Sequence, residues 1–357
     1  MAERKSSHFD TAVIGDGIIG LSAALELARG GASCALIGAA EPGGGSGAAA
    51  GILAPSVGHR DSEVRNFFRF SLGLFATFLA PLREFEPDLA VLEGLLEISS
   101  SPTDSPLENG SRRLTDAEVE QTEPALRAPY GAVLHPHDGA VDNTKILSAL
   151  RQAVSRHPSI SVITGDGVAR VDLGRSPAWV VTRAGSSIRA THVVLAAGAW
   201  SPRIEGLPRP LPVFPLKGQM IALEAAGVIR HPVLTGHVYL VSRDRELFVA
   251  ATNEDAGFDI ATTEEAEHSL RDAAVEACPC LAAARVTRRW AGLRPATSDL
   301  LPIIGPDPDA PSLIYACGHS RNGILLAPAT ALAVRAIVER SALPSFVERL
   351  SIDRFSR

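Results

Sequence analysis

Cysteine is scarce in this sequence, with only 4 among 357 residues. The four positions (Cys34, Cys278, Cys280 and Cys317) lack the paired spacing of a zinc site and are too few for a dense disulfide framework. The one close pair flanks Pro279 and has no second pair nearby, so we interpret it as structural rather than redox-active. The sequence therefore favours a reducing compartment and predicts no metal centre.

Positive charge and long apolar runs are also lacking. The chain has 34 Lys and Arg against 40 Asp and Glu, a net charge of −6, so it has no basic field to collect the phosphates of a nucleic acid. No run of about 18 uncharged apolar residues is present that would form a spanning helix. The opening residues 1–8 also lack the apolar segment of a secretion signal. We therefore expect a cytoplasmic protein that binds no nucleic acid and does not span a membrane.

The first forty residues contain a strand, a helix and a second strand. Residues 9–14 form an apolar run typical of a buried strand, and apolar residues recur at helical spacing over residues 18–29. Residues 33–37 form a second apolar run. This order predicts the βαβ unit of a dinucleotide-binding domain, in a chain long enough for about two domains.

Three glycines, Gly15, Gly17 and Gly20, separate the first strand from the helix in the pattern GxGxxG. In this pattern the first glycine permits a tight turn, the second lets backbone amides approach a pyrophosphate, and the third lets the helix pack on the strand. The N-terminus of the helix adds positive potential. The motif predicts a bound dinucleotide but does not by itself distinguish NAD from FAD.

The acidic residue that usually follows this motif by about twenty positions is missing. That residue ends the second strand and binds the ribose hydroxyls, but Gly38 stands in its place. Glu41 is the nearest acid; it either substitutes from the loop or lies solvated on the surface. How the ribose is held is therefore open at this level.

The remaining chain gives further predicted elements. Between residues 214 and 251 short strands alternate with turns, which predicts an antiparallel sheet. The predicted strands are residues 159–163, 168–173, 179–182, 188–195, 219–223, 238–241, 247–251 and 313–317. The predicted helices are residues 63–86 with a break at Pro81, 143–156, 264–277 with Thr262 or Thr263 as the cap, and about fifteen residues that end before Pro344. The predicted loops and turns are residues 99–113, 136–139 and the solvated charges 243–245.

Several segments along nearly the whole chain resemble the D-amino-acid oxidase superfamily of FAD flavoenzymes, and within it the glycine oxidase family of thiamine biosynthesis. The last two segments in the following list are the most specific. The segments are residues 15–20 (GDGIIG), 46–55 (SGAAAGILAP), 138–142 (DGAVD), 195–201 (LAAGAWS), 217–220 (KGQM), 290–295 (WAGLRP) and 318–328 (GHSRNGILLAP).

The resemblance implies FAD as the cofactor. It places the pyrophosphate at Gly15, the isoalloxazine against residues 48–52, and the helix start at Asn322 beside the pyrimidine edge of the flavin. A helix N-terminus there would stabilise the negative charge of reduced flavin. The implied cofactor-binding residues are Gly15, Gly17, Ile18, Ile19, Gly20, Ala48, Ala49, Ala50, Gly51, Ile52, Val168, Ala197, Gly198, Trp200, Gly292, His319, Arg321, Asn322, Gly323 and Ile324.

The resemblance also implies that Arg294 and Arg321 bind the carboxylate of the substrate, with help from the hydroxyl of Tyr239. Arginine suits this role because its planar fork binds a carboxylate through two hydrogen bonds and keeps its proton. His237, two residues before Tyr239, is expected on the same face of the strand. Its role is either structural or at the site.

The implied fold is α/β in the broad sense, an α+β two-domain chain. A Rossmann-like FAD domain of the D-amino-acid oxidase type (residues 1–85, 136–213 and 288–357) joins an antiparallel-sheet substrate domain (residues 86–135 and 214–287). The implied homo-oligomer takes a small amino acid or amine and dioxygen as substrates.

The implied reaction is oxidative deamination of glycine or a small amine, with a hydride passing from Cα to flavin N5. Dioxygen then becomes hydrogen peroxide, and in thiamine biosynthesis the imine itself would be used. One alternative is a related oxidase or dehydrogenase with a larger substrate, because Ser320 stands where a bulkier aromatic residue is common and residues 99–113 look shortened. An NAD dehydrogenase and a flavin-binding scaffold without turnover are further alternatives.

Overall fold

The structure, a computed structural model, describes residues 8–58, 61–102, 107, 110–236, 238–342 and 345–355. The strands are β1 (His8–Ile14), β2 (Cys34–Gly38), β3 (Ile52–Leu53), β4 (Val91–Ile98), β5 (Arg112–Leu114), β6 (Ala132–Val141), β7 (Ile160–Thr164), β8 (Val168–Asp172), β9 (Ala178–Thr182), β10 (Ser187–Leu195), β11 (Phe214–Glu224), β12 (Val233–Thr235), β13 (Val238–Arg243), β14 (Glu246–Ala250), β15 (Val286–Ala296), β16 (Ile303–Pro306) and β17 (Leu313–Cys317).

Helices pack against both sheets. The α-helices are α1 (Ile18–Arg29), α2 (Gly45–Ala48), α3 (Ser62–Gly73), α4 (Phe75–Leu79), α5 (Asp116–Thr122), α6 (Asn143–Arg156), α7 (Glu264–Ala277) and α8 (Gly323–Val338). Short 3-10 segments are Ala80–Glu84, Gly198–Arg203, Pro279–Ala283, Ser345–Leu350 and Ile352–Phe355.

The first sheet is the predicted dinucleotide-binding sheet. Its strands lie in the order β16-β17-β10-β1-β2-β7, with β9 beside β10 and β8 beside β9. Strands β17, β10, β1, β2 and β7 are parallel, so their carboxyl ends meet at one edge. Both faces are covered, and β1 and β10 accordingly consist mainly of buried apolar residues where they pair. The βαβ prediction is confirmed.

The second sheet has the order β15-β11-β14-β13-β12-β4-β6-β3, with β5 beside β6. All of its pairs are antiparallel except β12 with β4. Its one face packs on α7, which begins where the Thr263 hydroxyl accepts a hydrogen bond from the Ala266 amide at 3.2 Å. The other face turns toward the first sheet. The predicted antiparallel sheet is therefore present, with several more strands than the patterning suggests.

The predicted turn at residues 136–139 is wrong, because these residues lie inside β6. Glu93 of β4 pairs with Gly139, and Leu95 pairs with His135. A step of two residues along β4 therefore corresponds to a step of four residues along β6. The resulting bulge accommodates Pro136, which has no amide hydrogen to donate. Gly139 is required beside β4, because a Cβ there would lie 2.2 Å from the carbonyl oxygen of Leu92.

The helical region 63–86 has the break predicted near Pro81 and a second break at Leu74. Ser71, near the end of α3, donates to the Leu325 carbonyl of α8 at 2.7 Å. This anchor comes from a distant part of the chain and has no local sequence signal. In the predicted loop 99–113, residues 103–106 and 108–109 lie outside the described residues, while Arg112 and Arg113 belong to β5. Pro344, the predicted limit of the last helix, also lies outside them, and α8 ends at Val338.

The proposed division into domains stays a prediction. Two of its boundaries fall within strands of the second sheet, since β6 spans 135/136 and β15 spans 287/288. Within the described residues, no helix combines the length and the apolar character that crossing a membrane requires.

Candidate cofactor and substrate site

A cavity of about 860 Å³ lies between the two sheets. From the first sheet it is lined by residues at or just beyond the carboxyl ends of β1, β2 and β10, including Ile14, Ile37 and Ala196. From the second sheet it is lined by Met220 of β11 and Tyr239 of β13. An open parallel sheet binds ligands at this edge, where the strand order reverses.

The cavity brings together nearly all of the predicted site residues. Gly20 is the exception, because it packs against the turn instead of lining the cavity. The predicted residues that do line it are Gly15, Gly17, Ile18, Ile19, Ala48, Ala49, Ala50, Gly51, Ile52, Val168, Ala197, Gly198, Trp200, Tyr239, Gly292, Arg294, His319, Arg321, Asn322, Gly323 and Ile324.

The glycine turn forms one end of the cavity. Gly15 has φ +114, and a Cβ on it would lie 2.2 Å from the carbonyl oxygen of Ala196. A Cβ on Gly20 would lie 1.8 Å from the carbonyl oxygen of Gly15, so the helix and the turn touch through backbone alone. At the start of α1 the Ile18 amide donates to Ser46 Oγ at 3.0 Å. Gly17, Ile18 and Ile19 line the cavity, so the N-terminus of α1 lies at its edge, with one of its amides bonded to Ser46.

The small residues 48–52 are held by the second sheet. Trp290 donates from Nε1 to the Ala48 carbonyl at 3.0 Å. Gly292 makes room for this segment, because a Cβ there would lie 2.4 Å from the Cβ of Ala48. Arg243 donates to the Ala50 carbonyl at 2.7 Å and also to the carbonyl of Val141. The prediction that Arg243 is a solvated turn charge is therefore wrong: its guanidinium holds the wall of the cavity.

Arg294 projects from β15 and is anchored on one side. Its Nη1 donates to the Thr252 carbonyl and to Asn253 Oδ1, each at 2.9 Å. Gly218 of β11 lies under the guanidinium, and a Cβ there would be 2.5 Å from Nη2. Burial, together with the nearby charge of Arg321, lowers the pKa of Arg294 to about 10. An anion beside this group would offset the unfavourable burial of its charge.

Arg321 follows β17 and faces the same end of the cavity. Its guanidinium makes no hydrogen bond or ion pair with any described residue, and its charge acts on both Arg294 and Tyr239. Burial raises the pKa of Tyr239 above its usual value, and Arg321 partly opposes that rise. Tyr239 thus stays a neutral hydroxyl at ordinary pH. Two guanidinium groups and one hydroxyl converge here, a set suited to a carboxylate.

The loop before α8 carries His319, which packs into the protein, and Asn322, which lies at the start of the helix. His319 is 2% exposed, and its Nε2 is 3.0 Å from the Thr330 hydroxyl. Burial lowers the pKa of His319 to about 3, so the ring is neutral. Its imidazole therefore supports the loop from the protein side. Asn322 lies at the start of α8, and its buried Nδ2 has no hydrogen-bond partner among the described residues.

Several lining residues were not predicted as site residues, among them Asp16, Gly218, Met220 and Asn253. Asp16 is an unspecified position of the glycine motif, and Gly218 and Met220 belong to the segment 217–220, for which the resemblance implied no role. Asn253 follows β14 and reaches Arg294 only through the pairing of β11 with β14 and β15. A local pattern carries no signal for such a contact. His237 lies outside the described residues.

Comparison with known proteins shows which family this chain is similar to. A sequence model of the family described as "FAD dependent oxidoreductase" (DAO) matches residues 10–337. The bifunctional protein ThiO/ThiG of Nostoc sp. is 33% identical over 357 residues, an alignment that covers 94% of this chain and 53% of that protein. The chain therefore spans about half the length of such bifunctional relatives.

Two further comparisons cover both partners almost completely. The glycine oxidase of Pseudomonas aeruginosa is 32% identical over 334 residues, covering 89% of this chain and 91% of that protein. The crystal structure of glycine oxidase from Geobacillus kaustophilus superposes with a TM-score of 0.89 at 28% identity, covering 97% of this chain and 99% of that one. The whole two-sheet architecture is shared.

Proposed function

The chain belongs to the DAO family of FAD-dependent oxidoreductases, and from that premise we propose that it oxidises glycine or a similarly small amino acid or amine. FAD is the cofactor of the family. The single observation that carries the substrate proposal is the pair Arg294 and Arg321, which face one end of the same cavity as Tyr239. A small molecule with a carboxylate beside its amine matches that set.

The cavity fits FAD on two observations. Gly15 and Gly17 line the cavity at the glycine turn and have no side chains, which lets a pyrophosphate approach the backbone at the start of α1. At the other end, Asn322 Nδ2 is a buried donor without a partner among the described residues, at a helix start that lines the cavity. A ligand acceptor there would satisfy it. We propose that residues 48–52 lie against the flavin ring.

The protein's own part in the reaction is positioning. The arginines would hold the carboxylate so that the α-carbon faces residues 48–52, and Tyr239 would donate a hydrogen bond to the same carboxylate. When bound, FAD would supply the two-electron acceptor for the hydride of the α-carbon, with dioxygen as the final electron acceptor. The substrate nitrogen loses a proton, dioxygen becomes hydrogen peroxide, and water hydrolyses the imine to an oxo acid and ammonia. No charged base at the α-carbon is needed once the amine is neutral.

A second candidate is a larger amine or amino acid, acting through the same site. Ser320 favours it, because its Oγ is buried at the cavity and has no hydrogen-bond partner among the described residues. A hydroxyl in that position would bind a polar substituent that glycine lacks. A contribution to thiamine biosynthesis and the predicted homo-oligomer are proposals that rest on likeness to relatives alone.

The test is anaerobic reduction of the purified yellow protein by a panel containing glycine, sarcosine and D-amino acids of increasing size. We expect glycine or another small member to bleach the absorption near 450 nm, a wavelength typical of oxidised flavin, and to yield peroxide after air is admitted. Bleaching without peroxide would favour a dehydrogenase. If no member of the panel bleaches the flavin, the proposed function fails.

A further inference from the structure

The carboxyl group of Asp16 lies against the end of β2. A Cβ built on Gly38 would be 2.3 Å from both Cγ and Oδ2 of Asp16. Asp16 stands between Gly15 and Gly17 in the turn from β1 to α1, and it lines the cavity. Its acidic group therefore occupies the space in which a side chain at position 38 would begin.

This placement bears on the missing acid of the dinucleotide fold. In such folds an acid at the end of the second strand accepts hydrogen bonds from the ribose hydroxyls. Here that position is Gly38, while the preceding turn carries a carboxylate where the motif leaves the residue free. An acid at position 38 and the observed Asp16 cannot both be present without a clash. The two positions are alternatives for one carboxylate.

The competing acid, Glu41, is already engaged. It also lines the cavity, but its carboxylate forms an ion pair with Arg183. No described residue makes a hydrogen bond or an ion pair with the carboxylate of Asp16. A half-buried carboxylate has two oxygens that accept hydrogen bonds, which suits a pair of neighbouring hydroxyls. Asp16 therefore has unused acceptors at the cavity and Glu41 has a partner.

We propose that Asp16 binds the ribose hydroxyls in the adenosine half of FAD, in place of the acid that β2 lacks. Gly38 is the complementary half of this arrangement, because only a residue without a Cβ leaves room for the carboxylate. The proposal concerns the cofactor, so it holds whatever amine the enzyme oxidises.

The decisive measurement is the Kd of FAD for the deflavinated protein, read by flavin fluorescence, against an FAD analogue whose adenosine lacks both ribose hydroxyls. The wild-type protein should prefer FAD by roughly 10- to 100-fold, the range for hydrogen bonds to a charged group. Asp16→Asn and Asp16→Ala should bind FAD that much more weakly and lose most of the preference. If both variants keep the wild-type preference, Asp16 serves only the turn and the proposal is overturned.

Two further variants separate Asp16 from its neighbours. Gly38→Glu should weaken FAD binding in the presence of Asp16, and the double variant Asp16→Gly with Gly38→Glu should restore the preference for FAD. Glu41→Gln is the matched control and should keep that preference, because the carboxylate of Glu41 is held by Arg183. Loss of the preference in Glu41→Gln alone would assign the ribose to Glu41 and refute the proposal. Melting temperatures of all variants check that the fold is retained.

Discussion

The two ends of the cavity are built from opposite kinds of residue. At the glycine turn the protein presents backbone, and Gly15 and Gly20 matter because they have no side chains. At the far end Arg294 and Arg321 matter because of their charged side chains, carried by β15 and by the loop after β17. Removing side chains lets a ligand approach a helix N-terminus, whereas placing a buried charge selects the ligand by its own charge.

The two ends also differ in electrostatic cost. The backbone end needs no ionised group to be buried, since the partial charges of the amides are already part of α1. At the arginine end, an ionised group is buried at a cost in free energy. The lowered pKa of Arg294 shows this cost, which comes from burial and from the charge of Arg321. The free energy of the arginine end is therefore higher when no anion is bound. An anionic ligand should bind there strongly.

The largest effect is expected from adding one methyl group at the backbone end. Gly20→Ala places a Cβ 1.8 Å from the Gly15 carbonyl oxygen, so the turn and helix must separate. We expect FAD binding to weaken by at least about 4 kcal/mol, roughly 1000-fold, and the protein to purify without FAD. The measurement is the flavin content and the FAD Kd.

Gly73→Ala is the control for that substitution, because a Cβ there meets no atom within 4 Å. It should keep full FAD content. Normal FAD binding by Gly20→Ala would mean that the backbone contact does not define this end of the cavity, and the contrast between the two ends would collapse.

A smaller effect is expected at the arginine end, and it should appear in catalysis instead of cofactor binding. Arg294→Met should lower kcat/KM for a carboxylate substrate roughly 100-fold, about 3 kcal/mol in transition-state stabilisation, because it removes charged hydrogen bonds at a half-buried position. Arg321→Met should lower it less, since Arg321 is exposed. Steady-state kinetics measure both.

An amine without a carboxylate sharpens this comparison. Its kcat/KM should fall little in either variant, and the FAD content should stay normal. Equal losses for substrates with and without a carboxylate would contradict the assignment of Arg294 and Arg321 to the carboxylate.

The smallest effect concerns His319, in the loop between β17 and α8. Burial lowers the pKa of His319 from 6.5 to about 3, so the unfolded chain binds a proton that the folded chain does not. The stabilising contribution is complete above pH 6.5 and is lost as the pH falls toward 3. Between pH 7 and pH 5 the loss should be about 2 kcal/mol of unfolding free energy. Denaturant unfolding at the two pH values measures it.

His319→Gln should reduce that loss, because glutamine does not titrate and can still hydrogen bond to Thr330. His268→Gln, at an exposed position of α7, should leave the pH dependence unchanged. If His319→Gln has the wild-type pH dependence, the buried ring is not the source of the acid sensitivity.

Sequence reasoning succeeded where the pattern is local. Helices α1, α6 and α7 have the predicted bounds, since spacing and capping residues such as Thr263 act within a few positions. The glycine turn was predicted for the same reason. The prediction from sequence failed at residues 136–139. A Pro and a Gly there are typical of a turn, but they belong to a bulged strand, β6, which pairs with β4. That pairing joins residues about forty positions apart.

By itself the sequence determined the dinucleotide turn, because that turn depends on residue type and short spacing. The small-residue wall and the two arginines were predicted from the resemblance to a known family. Only the tertiary structure decided that Asn253 anchors Arg294 and that Arg243 holds the wall. It also decided that, among the described residues, the carboxylate of Glu41 has an ion-pair partner and that of Asp16 has none. These contacts join side chains whose distance is set by the register of strands and by the packing of two sheets. No local pattern encodes that distance.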